Sequence, residues 1–156
     1  MSITQNAVGA AFTTPEAAPT FRPGTTMKGE DGSEFIYVQA NGAITGPGYV
    51  VGVDEDLQAT MLATAAGGAF GDMVAVAPVA FADDEYGWVQ IKGPCQVQVA
   101  ASCAANVVLA ATATAGQIDD AVGKTINGLV LTTAREASAG LAPGYANYPV
   151  VGATTT

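Results

Sequence analysis

Apolar and polar positions alternate along the chain in short stretches, each cut by turn residues before a helical period can develop. "EFIYVQA" (34–40) sets Phe35, Tyr37 and Gln39 against Ile36 and Val38, the two-residue period of a strand. Asn41-Gly42 follows and predicts a two-residue hairpin turn. After a "GPG" turn, "GYVVGVDED" (48–56) reads as a short strand, and "LQATMLA" (57–63) as its partner strand or a single helical turn. "GGAFGD" (67–72) is a loop, and "MVAVAPVAFA" (73–82) is an apolar strand whose Pro78 demands an edge or a bulge. "YGWVQIKGPCQVQVA" (86–100) reads as two strands joined at Gly93-Pro94. "NVVLAATAT" (106–114) and "TINGLVLTTA" (125–134) add two more, with Gly128 a bulge, and one last short strand is expected at 149–151. The sum is all-β: one β-barrel or β-sandwich domain over residues 27–152, roughly eight to ten short strands, with a flexible tail at 153–156.

The 86–100 stretch poses a puzzle. Val89 and Ile91 point one way, and Trp88, the chain's one tryptophan, points the other with Gln90 and Lys92. Cys95, Val97 and Val99 make an apolar row, with Gln96 and Gln98 opposite. An indole on a polar face needs a cover. Loop 67–72, the C-terminal segment or another subunit would each supply one.

Residues 1–26 have no sustained period and carry prolines at 15, 19 and 23, so they form an extended arm. The arm is either a solvated tail or a strap that orders against a neighbouring subunit through Phe12 and Phe21. The candidate interface set is therefore Phe12, Phe21, Tyr86, Trp88, Gln90 and Lys92, because aromatic anchors carry a disproportionate share of binding energy.

Composition narrows the function. The 156 residues are 49% apolar, much of it alanine and valine, with 19 glycines, 8 prolines and 12% charged residues, a mixture suited to strands and turns. The net charge is −9, and Arg22, Lys28, Lys92, Lys124 and Arg135 are scattered along the chain. No basic patch exists to neutralise phosphates, so neither nucleic acid nor an anionic membrane is expected as a partner. "MSITQNAVGAAFTTPEAAPTF" lacks the basic start and apolar core of a signal peptide, and synthesis in a cytosol is expected. Cys95 and Cys103 should then remain reduced thiols.

Catalytic vocabulary is thin. The chain has no histidine, which removes the commonest general base and the commonest metal ligand. None of Ser2, Ser33, Ser102 and Ser138 lies in a nucleophile elbow, and "GAITGPG" leads into a strand rather than the helix a phosphate loop requires. Two cysteines without histidine make no closed zinc site. The acidic groups Asp54-Glu55-Asp56, Asp83-Asp84-Glu85 and Asp119-Asp120 lack the calcium-loop pattern and read as solvated strand ends. A carboxylate hydrolase would need two acids roughly 5–9 Å apart in a pocket. The expectation is no enzyme, no cofactor and no metal.

The stretches "GYVVGVDEDLQATML", "GDMVAVAPVAFADDEYGWVQIKGPCQVQVAASCAANVVLAATATAGQIDD" and "INGLVLTTA" resemble the head decoration, or capsid cement, proteins of tailed bacteriophages. The most telling run is "YGWVQIKGPCQVQVAA", followed by "TAGQ" and "INGLVL", and the similarity spans about residues 30–135. The resemblance implies a β domain, commonly trimeric, that binds the phage major capsid protein on the outer surface of the virion's capsid after synthesis in the host cytoplasm. An alternative is another virion component, such as a head fibre, a tail part or an adhesion module that stacks host glycans on Trp88 and Tyr86.

Overall fold

Strands follow the alternation, and no helix occurs among the described residues, which in this computed structural model are 6–7 and 10–156. The rest of the arm, residues 1–5 and 8–9, lies outside them. In chain order the strands are β1 (Asn6–Ala7), β2 (Ala10–Ala11), β3 (Thr26–Lys28), β4 (Glu34–Ala40), β5 (Val50–Val53) and β6 (Gln58–Met61). They continue as β7 (Met73–Val76), β8 (Tyr86–Val99), β9 (Leu109–Ala111), β10 (Ile118–Asp119), β11 (Lys124–Leu131) and β12 (Gly140–Thr154). β1 and β2 form a separate antiparallel ribbon; the others share one sheet in the order β10-β9-β11-β12-β8-β7-β5-β6-β4-β3.

Extra pairings fold that sheet onto itself. β4 runs antiparallel to β8 from Glu34–Lys92 to Gln39–Tyr86, and β10 meets β8 in parallel at Ile118–Val99. Two rings of paired strands result, β8-β7-β5-β6-β4 and β8-β12-β11-β9-β10, with β8 common to both. The domain is all-β, as the alternation predicts, and its one large sheet closes as two linked rings instead of one clean barrel.

The length of β8 makes this possible. Its first half pairs with β4 and its second with β12, from Lys92–Asn147 to Val99–Gly140. The expected turn at Gly93-Pro94 is instead a bend within one 14-residue strand. Gly93 sits at φ +103°, and a Cβ there would come within 2.9 Å of the Ser33 Cα, so only glycine lets the two backbones approach.

Each ring surrounds its own core. Ile36, Val38, Val51, Val53, Val89 and Ile91 fill the first, while Val97, Val99, Leu109, Ile118, Ile126 and Leu131 fill the second. β5 and β7 lie between the two and are buried on both sides. Val51 and Ala75 join the first core; Val50, Val74 and Val76 join the second. That explains why "VVGV" and "MVAV" are continuous apolar runs, the pattern of strands covered on both faces. At Gly52 the loop 63–68 crosses directly over β5, and Lys124 holds that loop by donating to the carbonyls of Ala63 (3.0 Å), Ala66 (3.3 Å) and Gly68 (2.9 Å).

Several local expectations change. Asn41-Gly42 makes no hairpin, because β4 pairs in parallel with β6 and not with β5; the Gly42 amide instead donates to Asp83 Oδ1 at 2.7 Å. The 106–114 stretch is a strand only at Leu109–Ala111. The C-terminal region, expected to hold one short strand, is the 15-residue β12 in the middle of the sheet, and it extends to Thr154 within the expected tail. Gly128 is a bulge: it has φ +90°, and the β11–β12 register shifts between Asn127 and Leu129.

Candidate functional site

The predicted interface residues come together in space, but on their own chain. Phe12 is buried, stacked on Phe35 with ring centres 4.1 Å apart and edge-on to Trp88 at 5.4 Å. Phe21 lies edge-on to Trp88 at 5.3 Å and to Tyr37 at 5.5 Å, and Tyr86 stacks on Tyr37 at 6.3 Å. Trp88 is left 2% exposed. Its cover is the arm itself, neither loop 67–72 nor the C-terminal segment. Backbone bonds seal the arm down: Glu16 and Tyr86 exchange N–H···O bonds of 2.8 Å each way, and the Thr20 amide donates to the Tyr37 hydroxyl at 3.2 Å. Burial, aided by the nearby Glu16 carboxylate, raises the pKa of Tyr37 above its ordinary value.

Gln90 and Lys92 do different work. The Gln90 side-chain amide donates to the Ser33 hydroxyl (3.2 Å) and to the carbonyls of Lys92 and Pro94 (2.9 Å each), which spans the β8 bend from inside. Lys92 is half-buried with its ammonium 5.5 Å from the ring centre of Tyr148, whose hydroxyl donates to Glu34. That hydrogen bond, assisted by Lys28 and Lys92, lowers the Glu34 pKa.

The acidic groups act on the backbone. Asp54 Oδ1 accepts from the amides of Asp56 (3.0 Å) and Gln58 (2.9 Å), and Glu85 Oε2 accepts from Ala82 (2.8 Å), so these carboxylates cap turns. Cys103, Asp119 and Asp120 bring their ligating atoms within 4.8 Å of one another. Burial, then the two carboxylates, pushes the Cys103 thiol up to about 11, so it keeps its proton at neutral pH. Asp120 Oδ2 accepts from the Ala104 amide at 3.0 Å and Asp119 Oδ1 from the Asp120 amide at 2.9 Å.

A surface that the pattern of residues did not single out lies on the outer faces of β11 and β12. Val130, Leu141, Tyr145, Tyr148 and Val150 are all exposed there, and Val130 pairs directly across from Tyr145. Beside them opens a groove of about 360 Å³ whose walls include Pro47, Pro78, Pro94, Leu141, Pro143 and Tyr145. No charged side chain lines it. The only hint in the sequence is a weak alternation, Leu141, Pro143, Tyr145 against Ala142, Gly144, Ala146, in a stretch whose glycines and prolines predict no strand before residue 149. No family model matches the chain, and neither a curated protein nor a solved structure matches it.

Proposed function

We propose that the chain is a structural protein of a tailed-phage virion, a decoration protein that binds the major capsid protein on the outside of the head and stabilises the shell. The observation that carries this reading is the β11–β12 outer face, where Val130, Leu141, Tyr145, Tyr148 and Val150 stand exposed in a chain of net charge −9. Such a face suits repeated protein contact without a chemical step, and many weak copies on a lattice hold one another by avidity. The resemblance over residues 30–135 supplies the identity of the lattice.

The adhesion alternative rested on Trp88 and Tyr86 as a sugar-stacking platform. Trp88 is buried under Phe12 and Phe21, so that platform lacks its main ring. Phe12 and Phe21 of the arm likewise pack on their own domain. The test is co-sedimentation of the purified chain with expanded tailed-phage heads stripped of their decoration layer. Saturable pelleting at a fixed ratio to the major capsid protein is expected. Protein that stays in the supernatant at every concentration refutes the reading.

A further inference from the structure

Asn41-Gly42 and Asn127-Gly128 are the chain's two Asn-Gly pairs, and the fold gives them different surroundings. In such a pair the glycine nitrogen can close a five-membered ring on the asparagine carboxamide, with no glycine side chain in the way. Both asparagines are exposed. Asn127 is paired opposite Val150 in the β11–β12 ladder, and a Cβ on Gly128 would lie 2.8 Å from Asn147 O and 3.2 Å from Pro149 Cα. Ring closure there must break strand pairing at a crowded glycine. Gly42, at φ +89°, is open: beyond its chain neighbours, no atom of the described residues lies within 4 Å of the place a Cβ would take. Its amide donates to Asp83 Oδ1 at 2.7 Å, within the roughly 2.6–3.2 Å reach of a general base. Backbone bonds hold that carboxylate in place. The Asp84 amide donates to Ala40 O (3.0 Å) and the Ala40 amide to Glu85 O (2.8 Å), which straps loop 82–85 across the end of β4.

We propose that Asn41 is a self-modification site, at which Gly42 N attacks Asn41 Cγ with Asp83 as the base. The Gly42 N–Asn41 Cγ bond forms and the Cγ–Nδ2 bond breaks. The Gly42 amide proton passes to Asp83 Oδ1 and from there to Nδ2, which leaves as ammonia. The product is a succinimide, and solvent water opens it at either carbonyl. Attack at Cγ leaves aspartate; attack at the Asn41 main-chain carbon leaves isoaspartate, with the chain rerouted through the side chain. Either product takes the net charge from −9 to −10. Isoaspartate also lengthens the backbone by one carbon just before Ile44, which bridges to Phe81.

The test is incubation of the full chain at neutral pH, followed by isoelectric focusing and peptide mapping by mass spectrometry. In the folded protein Asn41 should convert at least about 10-fold faster than Asn127. In urea, where neither pair keeps its surroundings, the two should convert at similar rates. Asp83→Asn keeps the size of the side chain without the base, and should slow conversion of Asn41 at least about 10-fold with circular dichroism unchanged. Asn41→Gln should remove the acidic band. An Asn41 that stays intact, equal conversion at both sites in the folded chain, or a preference for Asn41 that persists in urea overturns the proposal. So does an Asp83→Asn variant that converts as fast as the wild type or faster, which would make the Asp83 bond a clamp on Gly42 instead of a base.

Discussion

Replacing Phe12 with alanine tests how the arm is attached. Phe12 is 1% exposed and makes two ring contacts, to Phe35 and Trp88. Losing its burial removes about 1.5–3 kcal/mol, and the two ring contacts about 0.5–1.5 kcal/mol each. The total, about 2.5–6 kcal/mol, brackets the usual cost of about 3–5 kcal/mol for Phe→Ala in a core. It rivals anything the remaining arm contacts can offset, because ordering each arm residue costs about 1–2 kcal/mol. The cluster lies on the outside of β4 and β8, away from both ring cores. Release of the arm should therefore precede loss of the domain. Trp88 is the only tryptophan, so its emission reports on the cover alone. The expected result is a red-shifted, acrylamide-accessible tryptophan well below the melting temperature, with faster proteolysis in residues 13–24 and the far-ultraviolet spectrum unchanged. Unaltered emission and quenching in Phe12→Ala would refute the arm as the roof of Trp88.

Two further perturbations probe the core. In Gly52→Ala the new Cβ would lie 1.5 Å from the Gly67 carbonyl oxygen, a backbone clash, and a loss of at least about 3 kcal/mol in urea titration is expected; an unchanged midpoint contradicts the crossing of loop 63–68 over β5. Burial pushes Cys95 up to about 12 and Cys103 up to about 11, whereas an unfolded thiol ionises near 9.0. Stability should thus be unaffected by the thiols below about pH 8.5 and fall by up to about 1.4 kcal/mol per pH unit per thiol between pH 9 and 11. The double variant Cys95→Ala, Cys103→Ala should flatten that alkaline limb, and equal pH slopes in variant and wild type contradict it.

The strands of the first ring were legible as short runs of β-branched and aromatic residues bounded by turn formers, as in Phe35-Ile36-Tyr37-Val38 before Asn41-Gly42. β12 was not legible. Its "GLAPGYANYPV" has few β-branched residues and carries turn formers at Pro143, Gly144 and Pro149, and it is held in the sheet by pairing with β8 and β11 on either side. Long-range pairing outweighs local preference there. Gly93-Pro94 misled for a related reason: a positive-φ glycine serves a bend in a continuous strand as well as a turn between two. Trp88 could be flagged as out of place from period alone. What covers it depends on Phe12, 76 positions earlier in the chain, and only the folded arrangement brings the two together. The groove draws its walls from residues 47, 78, 94 and 141–145, so no single stretch signals it.

Sedimentation against expanded, undecorated heads bears most directly on the decoration reading. Pelleting that rises with protein concentration, saturates at a constant ratio to the major capsid protein and leaves heads more resistant to heat is the expected result. Heads that pellet bare, with all of the chain left in solution, would contradict it.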